Sequence, residues 1–177
     1  SDVCSSDLQH PEHLLVIGWS TMGHAVLTEL GSFLPAGSSI HVMANPDLVD
    51  TSGLDDATYG TVPVRFTKHD GSVAQIAQVA SARKYDEIIV LGYRDTVPVA
   101  EADSHTMMTM LMLNKLFAEE GNGVEPTRLV AEILDSRRSE LARVAAADDL
   151  VVSDNLAALM MAQLSENASL DPVFKDL

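Results

Sequence analysis

Gly18-Trp19-Ser20-Thr21-Met22-Gly23 has residue types and a spacing suited to holding an anion. In a glycine turn that opens a helix, the first glycine permits a tight bend and the last allows close helix–strand packing. The helix start behind it offers unpaired N–H groups to a phosphate. Ser20 stands where the usual G-x-G-x-x-G pattern has its middle glycine, the one that lets a pyrophosphate approach the backbone, so the dinucleotide signal is weakened. Asn45, Asp70 and Gly92 each follow a later apolar run, at positions where a strand would end. With Gly18, Trp19, Ser20, Met22 and Gly23 they form the candidate cofactor-binding set; the cofactor itself is left open, with NAD(H) or ATP one class and calcium another. Asn45 lacks the charge of the Asp or Glu that usually holds ribose hydroxyls, and a plain Asn-Pro turn is its alternative reading. A second set is carboxylate. Asp95, Glu101 and Asp103 flank a long apolar helix, and such oxygen donors suit calcium or magnesium; solvated helix caps are the competing reading.

Catalytic constellations are absent from the sequence. The residues four after Tyr59, Tyr85 and Tyr93 are Pro63, Ile89 and Val97, so no Tyr/Lys dehydrogenase pair exists. There is no Gly-Lys phosphate loop, no zinc-protease His pair and no nucleophile elbow. His24, His41, His69 and His105 are scattered through unlike elements and read as surface or half-buried residues rather than bases. A net charge of −15 disfavours nucleic acid and anionic membrane surfaces while leaving divalent cations as partners. Cys4 is the only cysteine, which excludes an intramolecular disulfide and fits a reducing compartment.

The elements that must position these residues alternate in type. Leu14 to Ile17, Ser39 to Ala44, Val62 to Thr67, Glu87 to Gly92, Arg128 to Leu134 and Asp149 to Val152 read as six strands. Helices are expected over Thr21–Leu34, Val73–Arg83, Glu101–Glu120, Ser136–Ala147 and Asp154–Glu166, with a short one in the polar stretch from Asp47 to Gly60. Continuous apolar strands separated by helices predict an α/β fold: a doubly wound, Rossmann-like, parallel six-stranded sheet with helices on both faces. Residues 1–12 read as a disordered or extraneous tail, 13–166 as the folded lobe, and 167–177 as the start of a segment leading to a further part. Met107, Met108, Met110 and Met112 give the long helix more apolar surface than one sheet face needs, which suits a subunit contact; an ordinary core helix with one generous face is the alternative reading.

Leu15 to Ser20, Val42-Met43-Ala44, Ile88 to Leu91, Val130-Ala131-Glu132 and Asp149 to Val152 together resemble the first RCK domain of CASTOR/POLLUX-type ion channels. Leu170 to Leu177 is similar to the segment that follows the crossover helix there, and Gly18-Trp19-Ser20 is the most specific part of the likeness. The resemblance implies the N-terminal lobe of a cytoplasmic regulatory domain in an integral membrane protein. It implies attachment to a pore-forming membrane segment of the same protein, self-assembly into a dimer or larger gating ring, and no catalysis. Calcium regulation and cation conduction are associated with the plant members. Asn45 stands where family members often carry an acidic residue. Two alternatives stay open: an NAD(H)- or ATP-binding regulatory subunit of a TrkA-like potassium uptake system, and a Rossmann-class enzyme such as a dehydrogenase or methyltransferase.

Overall fold

Alternation along the strands explains why helices cover both faces of the sheet. In a computed structural model, which describes residues 10–55, 57–119, 126–138, 140, 143 and 149–152, β1 (His13–Ile17) is central. It points Leu14 and Val16 to one face and Leu15 and Ile17 to the other, and all four are buried. The first face is covered by α1 (Gly23–Phe33), through Val26, Leu27 and Leu30. The second is covered by α2 (Val73–Ser81) and α3 (Val99–Glu119), through Ile76, Ala80, Met110 and Leu113.

The remaining strands are β2 (Ser39–Ala44), β3 (Thr58–Tyr59), β4 (Val62–Lys68), β5 (Glu87–Val90), β6 (Arg128–Ile133) and β7 (Asp149–Val152). Their order is β3-β4-β2-β1-β5-β6-β7, with every pairing parallel except β3 on β4. The six expected strands are therefore all present in a doubly wound α/β sheet. Strand order reverses at β1, between β2 and β5, which is where such sheets open a ligand crevice beyond their carboxyl ends.

The seventh strand corrects the expected short helix before Gly60. Asn45 Oδ1 accepts the Asp47 N–H and Asp50 Oδ1 accepts the Ser52 N–H, local bonds that replace helical ones. Gly53 and Gly60 take positive φ, and the chain returns as a two-residue hairpin strand. Gly31 makes room for it, since a Cβ there would lie 2.5 Å from the Tyr59 carbonyl oxygen.

Helix α3 starts at Val99, with the Ala102 N–H donating to the Pro98 carbonyl. Only one side of it is buried, and Met108 and Leu111 remain 61% and 55% exposed. No helix among the described residues is long and apolar enough to cross a membrane. Where a helix is expected over Ser136–Ala147, the described residues show a 3-10 turn at Ser136–Arg138, and most of the rest lies outside them. The helix expected at Asp154–Glu166, the segment 167–177 and nearly all of the tail 1–12 lie outside them too.

Candidate functional site

The glycine turn has the expected shape, but its amides are already engaged. Gly18 sits at φ +92°, donates its N–H to the Met43 carbonyl at 2.9 Å, and has no room for a Cβ, which would meet the Leu91 carbonyl oxygen at 2.0 Å. The buried Trp19 indole passes under the start of α1, where a Cβ on Gly23 would lie 2.6 Å from the ring. Ser20, also buried, accepts the Met22 N–H on its hydroxyl and the Gly23 N–H on its carbonyl. The Thr21 N–H and hydroxyl donate to the two oxygens of Asp95, at 2.8 and 3.2 Å. Three successive amides that a phosphate would use thus have protein acceptors, one of them a carboxylate.

The adenosine end of the crevice is closed in the same manner. The Asn45 side chain caps its own turn, and its backbone N–H donates to the Tyr93 hydroxyl at 2.9 Å. Tyr93 reaches from beyond β5 to the end of β2, and burial pushes its phenol up from its ordinary range. Arg94 lies against the Met22 thioether.

On the opposite face the strand ends do leave space. A cavity of about 190 Å³ opens between β1, β5 and the two helices α2 and α3, lined by Gly18 and Gly92 from the predicted set. Ile17 and Val90 give it an apolar floor, while His69, His105, Thr106 and Thr109 bring polar atoms to its wall. Its volume falls below the usual range for drug-sized ligands, so it admits a small molecule rather than a whole dinucleotide. Asp70 stands beside it, yet its carboxylate is held by the Ser72 hydroxyl and N–H, hydrogen bonds that keep its pKa below the usual carboxylate range. Ser72 in turn caps α2 by accepting the Gln75 N–H. The predicted residues therefore divide. Gly18 and Gly92 meet at the cavity, and Trp19, Ser20, Met22, Gly23 and Asn45 build the closed turn and crevice.

The three predicted metal ligands are not brought together. Asp95 holds the glycine turn, and Glu101 is exposed in the first turn of α3. Asp103 is fully buried, accepting the Leu134 and Asp135 N–H groups at 2.8 and 3.1 Å and pairing with Arg138 at 3.2 Å. Positions two apart on a helix point to opposite sides, which separates Glu101 from Asp103. Among the described residues no three His, Cys, Asp or Glu side chains gather closely enough to hold a metal ion.

Glu132, beside Gly92, is a residue the sequence reading passed over. It is 0% exposed at the carboxyl end of β6, and one oxygen accepts the Gly92 N–H at 3.1 Å. The other makes no hydrogen bond and lies 3.9 Å from the Arg94 guanidinium. Burial raises its pKa, against the Gly92 hydrogen bond and Arg94. A lone charge within Leu129-Val130-Ala131-Glu132-Ile133 was the available signal.

No protein-family model matches the chain. It is 21% identical to the "Probable ion channel POLLUX" of Oryza sativa subsp. japonica over 96% of its own length, and 21% identical to the "Probable ion channel CASTOR" of the same species over 94%. "Ion channel DMI1" of Medicago truncatula is also 21% identical, over 96%. The chain spans only 21%, 22% and 23% of these three relatives. A crystal structure of a GsuK point mutant superposes on 94% of the chain with a TM-score of 0.56, at 17% identity and covering 38% of that protein, which supports the fold. The chain is homologous to one segment of the CASTOR/POLLUX ion channels.

Proposed function

We propose that this chain is a cytoplasmic, ligand-sensing regulatory lobe of a CASTOR/POLLUX-like cation channel, binding its ligand without transforming it. The observation that carries the reading is homology to ion channels over nearly the whole chain. The filled glycine turn argues against the nucleotide-binding alternative, since NAD(H) or ATP would first have to displace Asp95. The ligand's place in this reading is the cavity between α2 and α3. Met108 and Met112 of α3 line it, so an occupant that fits one position of α3 better than another biases that helix. In the assembled channel α3 would contact a neighbouring subunit and pass the bias to the pore. A ligand moves such an equilibrium only by its differential affinity, and a tenfold difference is worth about 1.4 kcal/mol.

The test is open probability of the full-length channel in planar bilayers, with Thr109→Phe placed in the lobe to fill the cavity. A changed open probability at unchanged single-channel conductance is expected. Gating identical to wild type, in a variant that keeps the wild-type melting temperature, removes the cavity from the mechanism. Thermal unfolding of the chain against calcium, magnesium, NADH and ATP separates the remaining ligand classes. A nucleotide shift of several degrees that survives Thr109→Phe would instead restore the glycine turn as the binding site.

A further inference from the structure

In a chain with 11 basic against 26 acidic residues, two arginines meet at a groove that no carboxylate lines. The groove, of about 630 Å³, lies on the α2 face of the sheet, beyond the cavity described above. His41 on β2 pairs in register with Arg65 on β4, so the two side chains share a face, and Thr67 follows two residues on. Gln75, Gln78, Val79 and Ala82 recur at helical spacing and turn one side of α2 toward the same space. Arg83 follows the helix, with its guanidinium 5.8 Å above the Tyr85 ring. Neither Arg65 nor Arg83 forms an ion pair with a carboxylate among the described residues.

The floor of the groove holds an unspent donor. His41 Nδ1 lies 2.9 Å from the Tyr85 hydroxyl and Nε2 2.6 Å from the Thr67 hydroxyl. A neutral imidazole donates once and accepts once. Whichever tautomer is present, one hydroxyl donates to the ring and the other accepts from it. The accepting hydroxyl keeps its own hydrogen, for which no protein acceptor appears among the described residues. Burial, Arg65 and Arg83 together lower the His41 pKa to about 4, with no acidic group opposing them.

We propose that this groove is a binding site for a phosphate-bearing small molecule, held by Arg65, Arg83 and the His41–Thr67–Tyr85 hydroxyl network. Guanidinium forks match the geometry of a phosphate dianion, and the spare hydroxyl hydrogen supplies a further donor at the floor. The groove exceeds what a lone phosphate fills, and Val79, Ala82 and the Tyr85 ring offer apolar surface to an organic body. The bound dianion places negative charge beside His41, so binding favours the imidazolium. The titratable and charged groups facing His41 are Arg65 from β4, Arg83 from the end of α2, and Tyr85. The site is independent of the channel reading.

The experiment titrates the 177-residue chain with inorganic phosphate and with phenyl phosphate, against sodium chloride at equal ionic strength. Melting temperature and the His41 imidazole NMR titration are read together. A phosphate-specific rise in melting temperature is expected, with the His41 midpoint moving up from about 4 and both effects lost in Arg65→Gln/Arg83→Gln. Both arginines are exposed, so the double variant keeps its fold. Tenfold tighter binding of phenyl phosphate assigns the site to an organophosphate, and equal binding assigns it to free phosphate. Equal responses to phosphate and chloride, or undiminished binding by the double variant, overturn the proposal.

Discussion

Asp95 and Glu132 are both carboxylates at strand ends, and their surroundings give them opposite parts. Asp95 is exposed and accepts two hydrogen bonds from Thr21, so it acts as an anion supplied by the chain itself. Asp95→Ala should cost about 1 kcal/mol in urea unfolding, the worth of one or two hydrogen bonds near solvent. A loss no greater than experimental error would mean that water replaces the carboxylate without penalty. Glu132 is buried, and its folded-state pKa lies above the unfolded value. The folded form therefore holds its proton to higher pH than the unfolded chain does. Stability from this group is present at acid pH and is lost as pH rises from about 4.5 through the raised value. Glu132→Gln keeps an acceptor for the Gly92 N–H and cannot ionise. We expect the variant to become more stable relative to the wild type as pH rises from 5 to 8. An unchanged difference across that range would show that Arg94 fully offsets the burial of the charge.

At the scale of elements, α3 combines a buried side with an apolar outer stripe. Its inner side holds Asp103, clamped to the end of β6, together with Met110 and Leu113 in the core. Its outer side leaves Met108 and Leu111 exposed, and neither is needed to cover the sheet. Met108→Glu or Leu111→Glu should leave the melting temperature nearly unchanged and weaken self-association in sedimentation velocity. Self-association untouched by either change would leave the stripe as plain surface. The strands β1, β5 and β6 were legible beforehand as near-continuous apolar runs, and α1, α2 and α3 by their 3.6-residue periodicity. The stretch from Asp47 to Gly60 was not, since Asx turns and positive-φ glycines break periodicity without setting another. The site was half legible. Gly18 and Gly92 announced the strand ends, whereas the closing of the turn depends on Asp95, 74 residues from its partner Thr21. The carboxylate triad failed because closeness in sequence hid opposite sides of a helix. His41, Arg65 and Arg83 come from separate elements, and only the strand register and the end of α2 bring them to one groove.

For the whole molecule, charge and apolar surface act against one another. The chain carries −15 and aligns with about a fifth of each channel relative, so a counterpart of it in such a channel lies among other segments. Two copies brought together along α3 bury methionine and leucine but place two strongly negative bodies side by side. Coulomb repulsion between exposed charges falls off over about 10 Å at 0.1 M salt and about 30 Å at 0.01 M. Burial of apolar side chains depends little on salt over the same range. Self-association through α3 should therefore strengthen as sodium chloride rises from 20 to about 300 mM, measured as the dimer dissociation constant by sedimentation equilibrium. A contact held by ion pairs would weaken instead, because the same salt screens attraction as well as repulsion. The sign of the salt dependence thus separates an apolar contact from an electrostatic one without a mutation. Repeating the measurement with Leu111→Glu, on the same helix but outside the cavity lining, locates it. If α3 forms the contact, that change adds a charge to each copy at the interface, lowers affinity most at low salt, and is partly relieved at high salt. A dimer that tightens with salt yet ignores Leu111→Glu would be apolar but built on another face, and the cavity beside α3 would then have no route to a neighbouring subunit through that helix.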